Sequence, residues 1–237
     1  ALQSAVAMAT GTSLLGELVG ESKEPARVVL VLAEEDVHIV WHRLYAVAKV
    51  QLESIGINLR DAYERMERNL VIHALGGGQQ VNLLGRDHER TQAGDQLRSA
   101  CTGARLVVLD PLRNFHNADE NDSTAMNALI RHIAGYAAST GAAWLLTHHS
   151  SRAASLNDYG TTADAGRGST AVTNTARWQL NLSRPSETSA KLYRLSAHQM
   201  DDCVLLSVPK VNYDKPARTI ALTRGDHGVL SLMRSRT

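Results

Sequence analysis

Acidic and imidazole side chains follow three of the most apolar segments of this sequence. Each segment has the composition of a buried strand, and the residues that directly follow the three are Glu34-Glu35-Asp36, Asp110 and His148-His149. The carboxyl ends of parallel strands meet at one edge of a sheet, where ligands bind in open α/β folds. Acid, acid and imidazole at one edge are the groups expected of a metal-assisted phosphoryl-transfer site.

Asp110 and Glu34 have the most specific candidate roles in such chemistry. Asp110 follows LVVL, which is the Walker B pattern, and a carboxylate held by a buried strand can bind Mg²⁺ directly or through water. Glu34 is a candidate for orienting and deprotonating the attacking water. Each has a structural alternative, because Asp at a strand end often caps the next turn and residues 34–36 can complement the N-terminus of a following helix.

The histidines and a glycine run are less specific signals. His148 and His149 are adjacent in a strand and point to opposite sides, so at most one of them faces a nucleotide and its γ-phosphate. His38 and His42 have the i, i+4 spacing of metal ligands, but no third ligand motif accompanies them, so a zinc site is the weaker interpretation. The three glycines at 76–78 lack the Gly-Lys-Ser/Thr of a phosphate loop, which favours a flexible turn.

The elements that must position these residues alternate between strands and helices. Residues 1–10 are predicted to form a helix that Gly11 ends, and Ser123 is predicted to cap a later one. The alternation predicts an α/β fold with a mainly parallel, twisted sheet and helices on both faces. The predicted strands are 27–33, 70–74, 105–109 and 143–147, and the other predicted helices are 36–53, 87–102 and 123–140.

The texture of the sequence changes after residue 149. Residues 150–169 are rich in small and polar residues without periodicity, which predicts a long functional loop. Four strand-like segments then follow and predict an antiparallel extension of the same sheet, so we interpret the chain as one domain. The segments are 177–182, 191–196, 203–211 and 218–223, and the parts of the domain are a βαβ core at 1–149, a loop at 150–169 and C-terminal strands at 170–237.

Composition excludes several classes of protein. A net charge of +1 over 237 residues excludes a histone-like polycation but allows nucleic-acid binding through a local basic patch. Two distant cysteines, Cys101 and Cys203, exclude a disulfide framework and a four-cysteine zinc site, and they are consistent with a reducing cytoplasm. The apolar runs are too short for a membrane span, so we expect no membrane partner.

Six blocks of sequence, in order, resemble the RecA-like hexameric ATPases, in particular the RepA-type replicative helicases of plasmids and phages. The resemblance implies a RecA-like P-loop NTPase core over nearly the whole chain. The blocks are LAEED at 32–36, WHRL at 41–44, RLVVLDPLRNFH at 105–116, LLTHHSS at 145–151, RGSTAVTNTARWQLNLS at 167–183 and VPKVNY at 208–213.

The resemblance implies ATP and Mg²⁺ as cofactors and gives roles to residues at the sheet edge. Glu34 matches the catalytic glutamate, and Asp110 matches the Walker B aspartate that holds Mg²⁺, with Glu35 beside the nucleotide. His149 matches the residue that links the γ-phosphate to DNA-binding loops, with His148 next to it.

The resemblance also implies a homo-oligomeric ring, a hexamer, that acts on single-stranded DNA. Arg177 matches the arginine finger, which acts on the ATP of the neighbouring subunit, and Lys210 is either a second cation there or an exposed strand-end lysine. A replication initiator or a primase is an expected partner. The expected DNA contacts in the two channel loops are Arg113, His116, Arg152 and Arg167.

One departure from that family is large, since the sequence contains no G-x-x-x-x-G-K-[ST] motif. Residues 1–10 resemble the body of the helix that this loop opens, so we expect the chain to be an N-terminally truncated piece that does not hydrolyse ATP by itself. Other interpretations remain: a RecA-like regulatory ATPase without unwinding, a non-catalytic DNA-binding or oligomerisation module, and a metal hydrolase built on the acid and His cluster.

Overall fold

A computed structural model describes residues 1–15, 24–53, 55–150, 159–166, 170–215 and 217–233. The chain divides into two compact units. The first contains Ala1–Asp119 and Asn127–His148, and the second contains Glu120–Met126 and His149–Thr237. Each unit has one four-stranded sheet. The interpretation of the chain as a single domain stays a prediction.

The sheet of the first unit is entirely parallel, as predicted. Its strands lie in the order β2-β1-β3-β4. Every residue of β1 is buried, as are the first four of β3, because runs such as VVLVL have no polar face to turn toward water. The strands are β1 (Val28–Leu32), β2 (Leu70–Ala74), β3 (Leu106–Asp110) and β4 (Ala143–Leu146).

Five helices and one 3-10 turn belong to the chain up to residue 140. The helix α1 packs on β1 and β3 and against α2 and α3. Sequence patterning did not predict α3, because Ala62 and Met66 are its only buried side chains. The elements are α1 (Leu2–Thr10), α2 (Val37–Glu53), α3 (Leu59–Asn69), α4 (Gln92–Ala100), the turn Leu112–Phe115 and α5 (Ser123–Thr140).

The end of α1 is built as the sequence predicts. Gly11 adopts the left-handed conformation, with φ of 69°. A Cβ at this position would lie 2.7 Å from the backbone nitrogen of Pro25, so the close approach of the returning chain requires glycine. Side chains of α3 satisfy the last carbonyls of α1: Arg65 donates to the oxygen of Thr10, and Asn69 donates to that of Ala9, both at 2.9 Å.

Two predicted helix starts are wrong by a few residues, and side-chain caps explain both. The helix α4 begins at Gln92 rather than at residue 87, because Thr91 Oγ1 accepts the N–H of Gly94 at 3.0 Å. Ser123 does not cap α5. Asp122 does so, since its Oδ1 accepts the N–H of Thr124 at 2.8 Å.

The second unit is built on an antiparallel sheet in the order β5-β6-β7-β8. The antiparallel character is confirmed, but the prediction that these strands extend the first sheet is wrong: within the described residues they pair only with one another. The elements of this unit are α6 (Ala171–Thr175), β5 (Trp178–Ser183), α7 (Glu187–Leu192), α8 (Ala197–Asp202), β6 (Cys203–Val211), β7 (Ile220–Arg224), β8 (Leu230–Leu232) and 3-10 turns at Tyr159–Thr161, Ala163–Ala165 and Asp226–Gly228.

The strand predicted at 191–196 is wrong for a local reason. Ser186 caps α7 by accepting the N–H of Ser189 at 3.1 Å, and Ser196 with Gln199 forms a capping box at the start of α8. These two polar caps hold the segment in short helices. Of the loop predicted at 150–169, residues 151–158 and 167–169 lie outside the described residues.

The two cysteines are buried and free, as the prediction of no disulfide framework requires. Burial raises the pKa of the Cys101 thiol to about 11, because the thiolate loses its hydration. Among the helices in the described part of the chain, none combines the length and the apolar character that crossing a membrane demands.

Candidate functional site

Three of the predicted carboxylates lie together at the carboxyl edge of the parallel sheet. Leu32, at the end of β1, is in register with Asp110, at the end of β3. The N–H of Ala33 donates to the backbone oxygen of Asp110 at 2.9 Å, so the pairing continues to the residue before Glu34. A cavity of about 30 Å³, the volume of a single water molecule or ion, is lined by Leu32, Glu34, Glu35 and Asp110.

The Asp110 carboxylate is oriented by the neighbouring strand. Thr147, which directly follows β4, donates a hydrogen bond from its Oγ1 to Asp110 Oδ1 at 2.6 Å. Its own backbone is held on both sides: its N–H donates to Leu109 at 3.0 Å, and its oxygen accepts the N–H of Leu112 at 2.8 Å. The prediction of site residues missed Thr147, although its place at the end of a strand beside two histidines was a usable signal.

The two glutamates after β1 differ in their partners. Glu35 forms an ion pair with Arg43 on α2, another residue that sequence analysis did not single out. Glu34 is exposed and makes no ion pair with any residue that the structure describes. Glu34 is therefore the glutamate whose carboxylate is available to accept a proton from, or orient, a water molecule near Asp110.

The N-terminal end of α1 lies at the same place. The α-amino group of Ala1 is buried, and burial lowers its pKa, with Asp110 acting in the opposite direction and Arg43 in the same one. Helix N-termini carry a partial positive charge and unpaired N–H groups, which suit them to bind phosphate. This edge therefore presents carboxylates for a cation and a helix end for an anion.

The oxygen ligands at this edge fit Mg²⁺. The described residues contain no group of three or more His, Cys, Asp and Glu side chains that could hold a metal ion alone. Mg²⁺ does not need one, since it commonly binds through one or two carboxylates and keeps its remaining positions for water and substrate phosphate. Asp110 and Glu34 would supply those carboxylates. The absence of a third ligand argues against zinc at His38 and His42 within this described part of the chain.

The two adjacent histidines differ in exposure. His148 is half-buried and belongs to the first unit, whereas His149 is exposed and belongs to the second. Which of them faces a nucleotide stays a prediction.

Arg177 and Lys210 lie close together in the second unit. Arg177 is exposed directly before β5, and its backbone oxygen accepts the N–H of Asn212 at 3.1 Å. Lys210 Nζ donates to the carbonyl oxygens of Thr173 at 2.6 Å and Asn174 at 2.8 Å, in the last turn of α6. The lysine thus anchors the helix that ends two residues before Arg177, and its predicted contact with nucleotide stays a prediction.

The segment after Asp110, predicted to contact DNA, is held by its neighbours. Arg113 is exposed and donates to the backbone oxygen of His116 at 3.1 Å. Asn114 donates to the oxygens of Gly78 and Gln79, both at 3.3 Å, so the glycine turn at 76–78 supports this segment. The side chain of His116 is only 3% exposed, which leaves it no surface for DNA. Two other predicted contacts, Arg152 and Arg167, lie outside the described residues.

Two solved structures of replication-type ATPases resemble this chain over most of its length. The first is a separately solved ATPase domain, which matches with a TM-score of 0.61 and 16% identity, over 88% of this chain and 75% of that one. The second is a DnaB-like replicative helicase, solved with a view to its interactions with primase. It matches with a TM-score of 0.58 and 14% identity, over 88% of this chain and 51% of that one.

These likenesses show a shared fold and confirm the predicted RecA-like P-loop NTPase class. The chain spans about half the length of the DnaB-like helicase. A family model described as an AAA domain, AAA_25, matches residues 1–155, which include the whole parallel sheet and its carboxylate edge. Because this match covers well over half of the sequence, the chain belongs to the AAA domain family AAA_25.

Proposed function

We propose that this chain provides the ATPase core of a RepA-like ring helicase that translocates on single-stranded DNA during plasmid, phage or mobile-element replication. The observation that carries the proposal is the placement of Glu34 and Asp110 at the ends of two paired strands, beside the N-terminal end of α1. Phosphoryl transfer needs carboxylates and an electropositive phosphate site at one place.

Each group at this edge has a distinct task in ATP hydrolysis. Asp110, oriented by Thr147, would hold Mg²⁺ directly or through water. Bound Mg²⁺ supplies positive charge that offsets the charge of the β- and γ-phosphates. Glu34 orients the attacking water and accepts its proton, and the N–H groups that begin α1 face phosphate oxygens. Arg43 holds Glu35 away from this role.

Arg177 completes the site from a neighbouring subunit. Its side chain is exposed, and a guanidinium that reaches the γ-phosphate of another copy would stabilise the charge of the transition state. Lys210 supports this role indirectly by anchoring α6. His149, with His148, would report the state of the phosphate to the DNA-binding loops.

Single-stranded DNA would be held by a few cations per subunit in a ring of six. The candidate contacts are Arg113, Arg152 and Arg167, whereas the buried ring of His116 is not part of this proposal. Since the chain has a net charge of only +1, affinity depends on repetition around the ring and on low salt. A primase or a replication initiator is the proposed protein partner.

The sequence has no G-x-x-x-x-G-K-[ST] motif, and we propose that residues encoded upstream supply this loop. The test therefore uses the chain translated from the full reading frame. ATP hydrolysis is measured with and without single-stranded DNA, followed by strand displacement on a forked duplex. Stimulation by DNA together with displacement supports the proposal. Hydrolysis without either outcome would leave a regulatory ATPase and overturn the helicase.

The arginine finger has its own test, with a matched control in the same strand region. Arg177→Ala should lower kcat by about 10³-fold or more, since arginine fingers have effects of that order. Binding of a non-hydrolysable ATP analogue should change by no more than about threefold, because binding needs the finger less than the transition state does. Arg184→Ala removes another exposed arginine, one residue after β5, and should retain activity. Unchanged turnover in Arg177→Ala would reject the finger role.

A further inference from the structure

The helix α2 presents apolar side chains to solvent directly after the acidic residues 34–36. Val37, Trp41 and Tyr45 recur every four residues and therefore form one stripe along the helix, here named the α2 stripe. All three are exposed, and Trp41 is 48% exposed. A continuous exposed apolar surface of this kind marks an interaction site more often than an isolated apolar residue does.

A second group of exposed aromatic residues flanks Arg177 in the other unit. Trp178 follows Arg177 at the start of β5 and is 43% exposed. Tyr213 follows Asn212, the residue whose N–H donates to the oxygen of Arg177, and is 81% exposed. Trp178 and Tyr213 are here named the β5–β6 patch. The exposed cation Arg177 is thus bonded in sequence or by backbone pairing to both aromatic positions.

We infer that the α2 stripe of one copy of this chain docks on the β5–β6 patch of the next copy. The inference rests on the proposed function, in which Arg177 of one copy reaches the phosphate beside Glu34 and Asp110 of another. Arg177 cannot reach that edge unless the residues around it approach the residues that follow Glu34. Those residues include Val37 and Trp41, which lie in the first two turns of α2, within about 11 Å along its axis.

The charges of the two surfaces are complementary. Glu34 and Asp36 are exposed at the N-terminal end of the α2 stripe, and Arg177 is exposed beside the β5–β6 patch. Opposite charges at one end fix the direction in which the aromatic residues meet. The two surfaces differ, so the contact is heterologous and repeats head to tail, which is the type of contact that builds rings. Trp, Tyr and Arg are also the residues most enriched where interfaces derive their affinity.

Cross-linking between two differently marked copies tests which surfaces meet. One preparation of the full chain carries Trp41→Cys and the other Trp178→Cys, and the native Cys101 and Cys203 are buried. After mixing and mild oxidation, we expect a disulfide-linked dimer in the mixture and none in either preparation alone. Oligomers that form without this cross-link, or equal cross-linking in the unmixed samples, would overturn the inference.

A matched pair of double variants tests whether the α2 stripe contributes affinity. Val37→Ser/Trp41→Ser removes apolar surface from the stripe. Ile39→Ser/Val50→Ser removes it from the other exposed flank of the helix, where the native side chains are 50% and 44% exposed. Sedimentation velocity with a non-hydrolysable ATP analogue should show assembly weakened by about tenfold or more in the first variant and by less than about twofold in the second.

The outcomes separate this inference from the proposed function. If the unmodified chain neither assembles nor hydrolyses ATP, the proposed function fails and the docking inference fails with it. If it assembles and hydrolyses ATP, and the stripe variant assembles equally well, the docking inference alone fails. Phosphatidylglycerol vesicles test the rival occupant, since α2 also carries Arg43 and Lys49. Vesicle binding that only the stripe variant loses, with assembly unchanged, would assign the stripe to a lipid surface.

Discussion

Thr147 donates a 2.6 Å hydrogen bond to Asp110, so the carboxylate at the end of β3 is oriented by the residue that follows β4. The two strands are adjacent and parallel, and both residues lie where their strands end. A carboxylate that would hold a cation is thereby fixed before the cation binds. Such preorganisation is what a metal site requires of its supporting residues.

Replacing Thr147 should therefore weaken the use of Mg²⁺. Thr147→Val keeps the shape of the side chain and removes the hydroxyl that donates to Asp110. A hydrogen bond to a charged group contributes about 1.5–3 kcal/mol, so we expect about 10- to 100-fold weaker Mg²⁺ activation of ATP hydrolysis in the full chain. The measurement is hydrolysis rate against Mg²⁺ concentration at saturating ATP.

The matched control for that change is Thr147→Ser, which retains a hydroxyl at the same position. It should restore most of the Mg²⁺ response while losing only a methyl group. If the valine and serine variants respond alike to Mg²⁺, the hydroxyl does not position Asp110 and its role is limited to packing.

Lys210 should act on stability and turnover without acting on nucleotide affinity. Its ammonium donates to the carbonyl oxygens of Thr173 and Asn174, which end α6 just before Arg177. Lys210→Met keeps the length of the chain and removes both bonds, with an expected loss of about 1–3 kcal/mol in the free energy of unfolding. Turnover should also fall, because the segment that carries Arg177 loses its anchor.

The control for Lys210 is Lys215→Met, which alters an exposed lysine four residues after the end of β6. Urea unfolding gives the free energy, and titration with a fluorescent ATP analogue gives nucleotide affinity. A large loss of nucleotide affinity in Lys210→Met, with unfolding unchanged, would instead support direct contact with nucleotide.

The parallel sheet was predictable from sequence because its inner strands have only one way to avoid water. The five residues of β1 are all apolar and all buried, so they could be recognised without knowledge of their partners. The helix α3 has only Ala62 and Met66 to bury and left no comparable pattern. The C-terminal strands showed their antiparallel character, but whether they join the first sheet depends on long-range pairing that local composition does not record.

The candidate site divides in the same way. Glu34 and Asp110 were predictable because strand ends in a parallel sheet share an edge. The partners Arg43 and Thr147 were not, because each contact depends on which helix or strand comes to lie beside the carboxylate. The burial of His116 likewise follows from tertiary packing, and its position next to a predicted DNA-binding arginine gave no sign of it.

The buried thiol of Cys101 should make stability depend on pH in the alkaline range. Burial raises its pKa from 9.0 to about 11, so the folded chain keeps the proton while the unfolded chain releases it. The folded state then binds more protons between about pH 9 and pH 11, and its contribution to stability falls as pH rises through that window. We expect the stability difference between the native chain and Cys101→Ala to narrow from pH 8 to pH 10.5 in urea unfolding. A difference that stays constant would show that the thiol titrates alike in both states.

Two identical substitutions at different glycines should change stability in opposite directions. At Gly11, φ is positive and an added methyl group would lie 2.7 Å from the backbone of Pro25, so Gly11→Ala should cost about 2 kcal/mol or more. At Gly135, in the exposed middle of α5, no atom lies within 4 Å of the added methyl group. Gly135→Ala should therefore gain about 0.5–1 kcal/mol from reduced backbone entropy in the unfolded chain. Urea unfolding monitored by circular dichroism measures both, and equal effects of the two variants would contradict the close return of the chain from α1 toward β1.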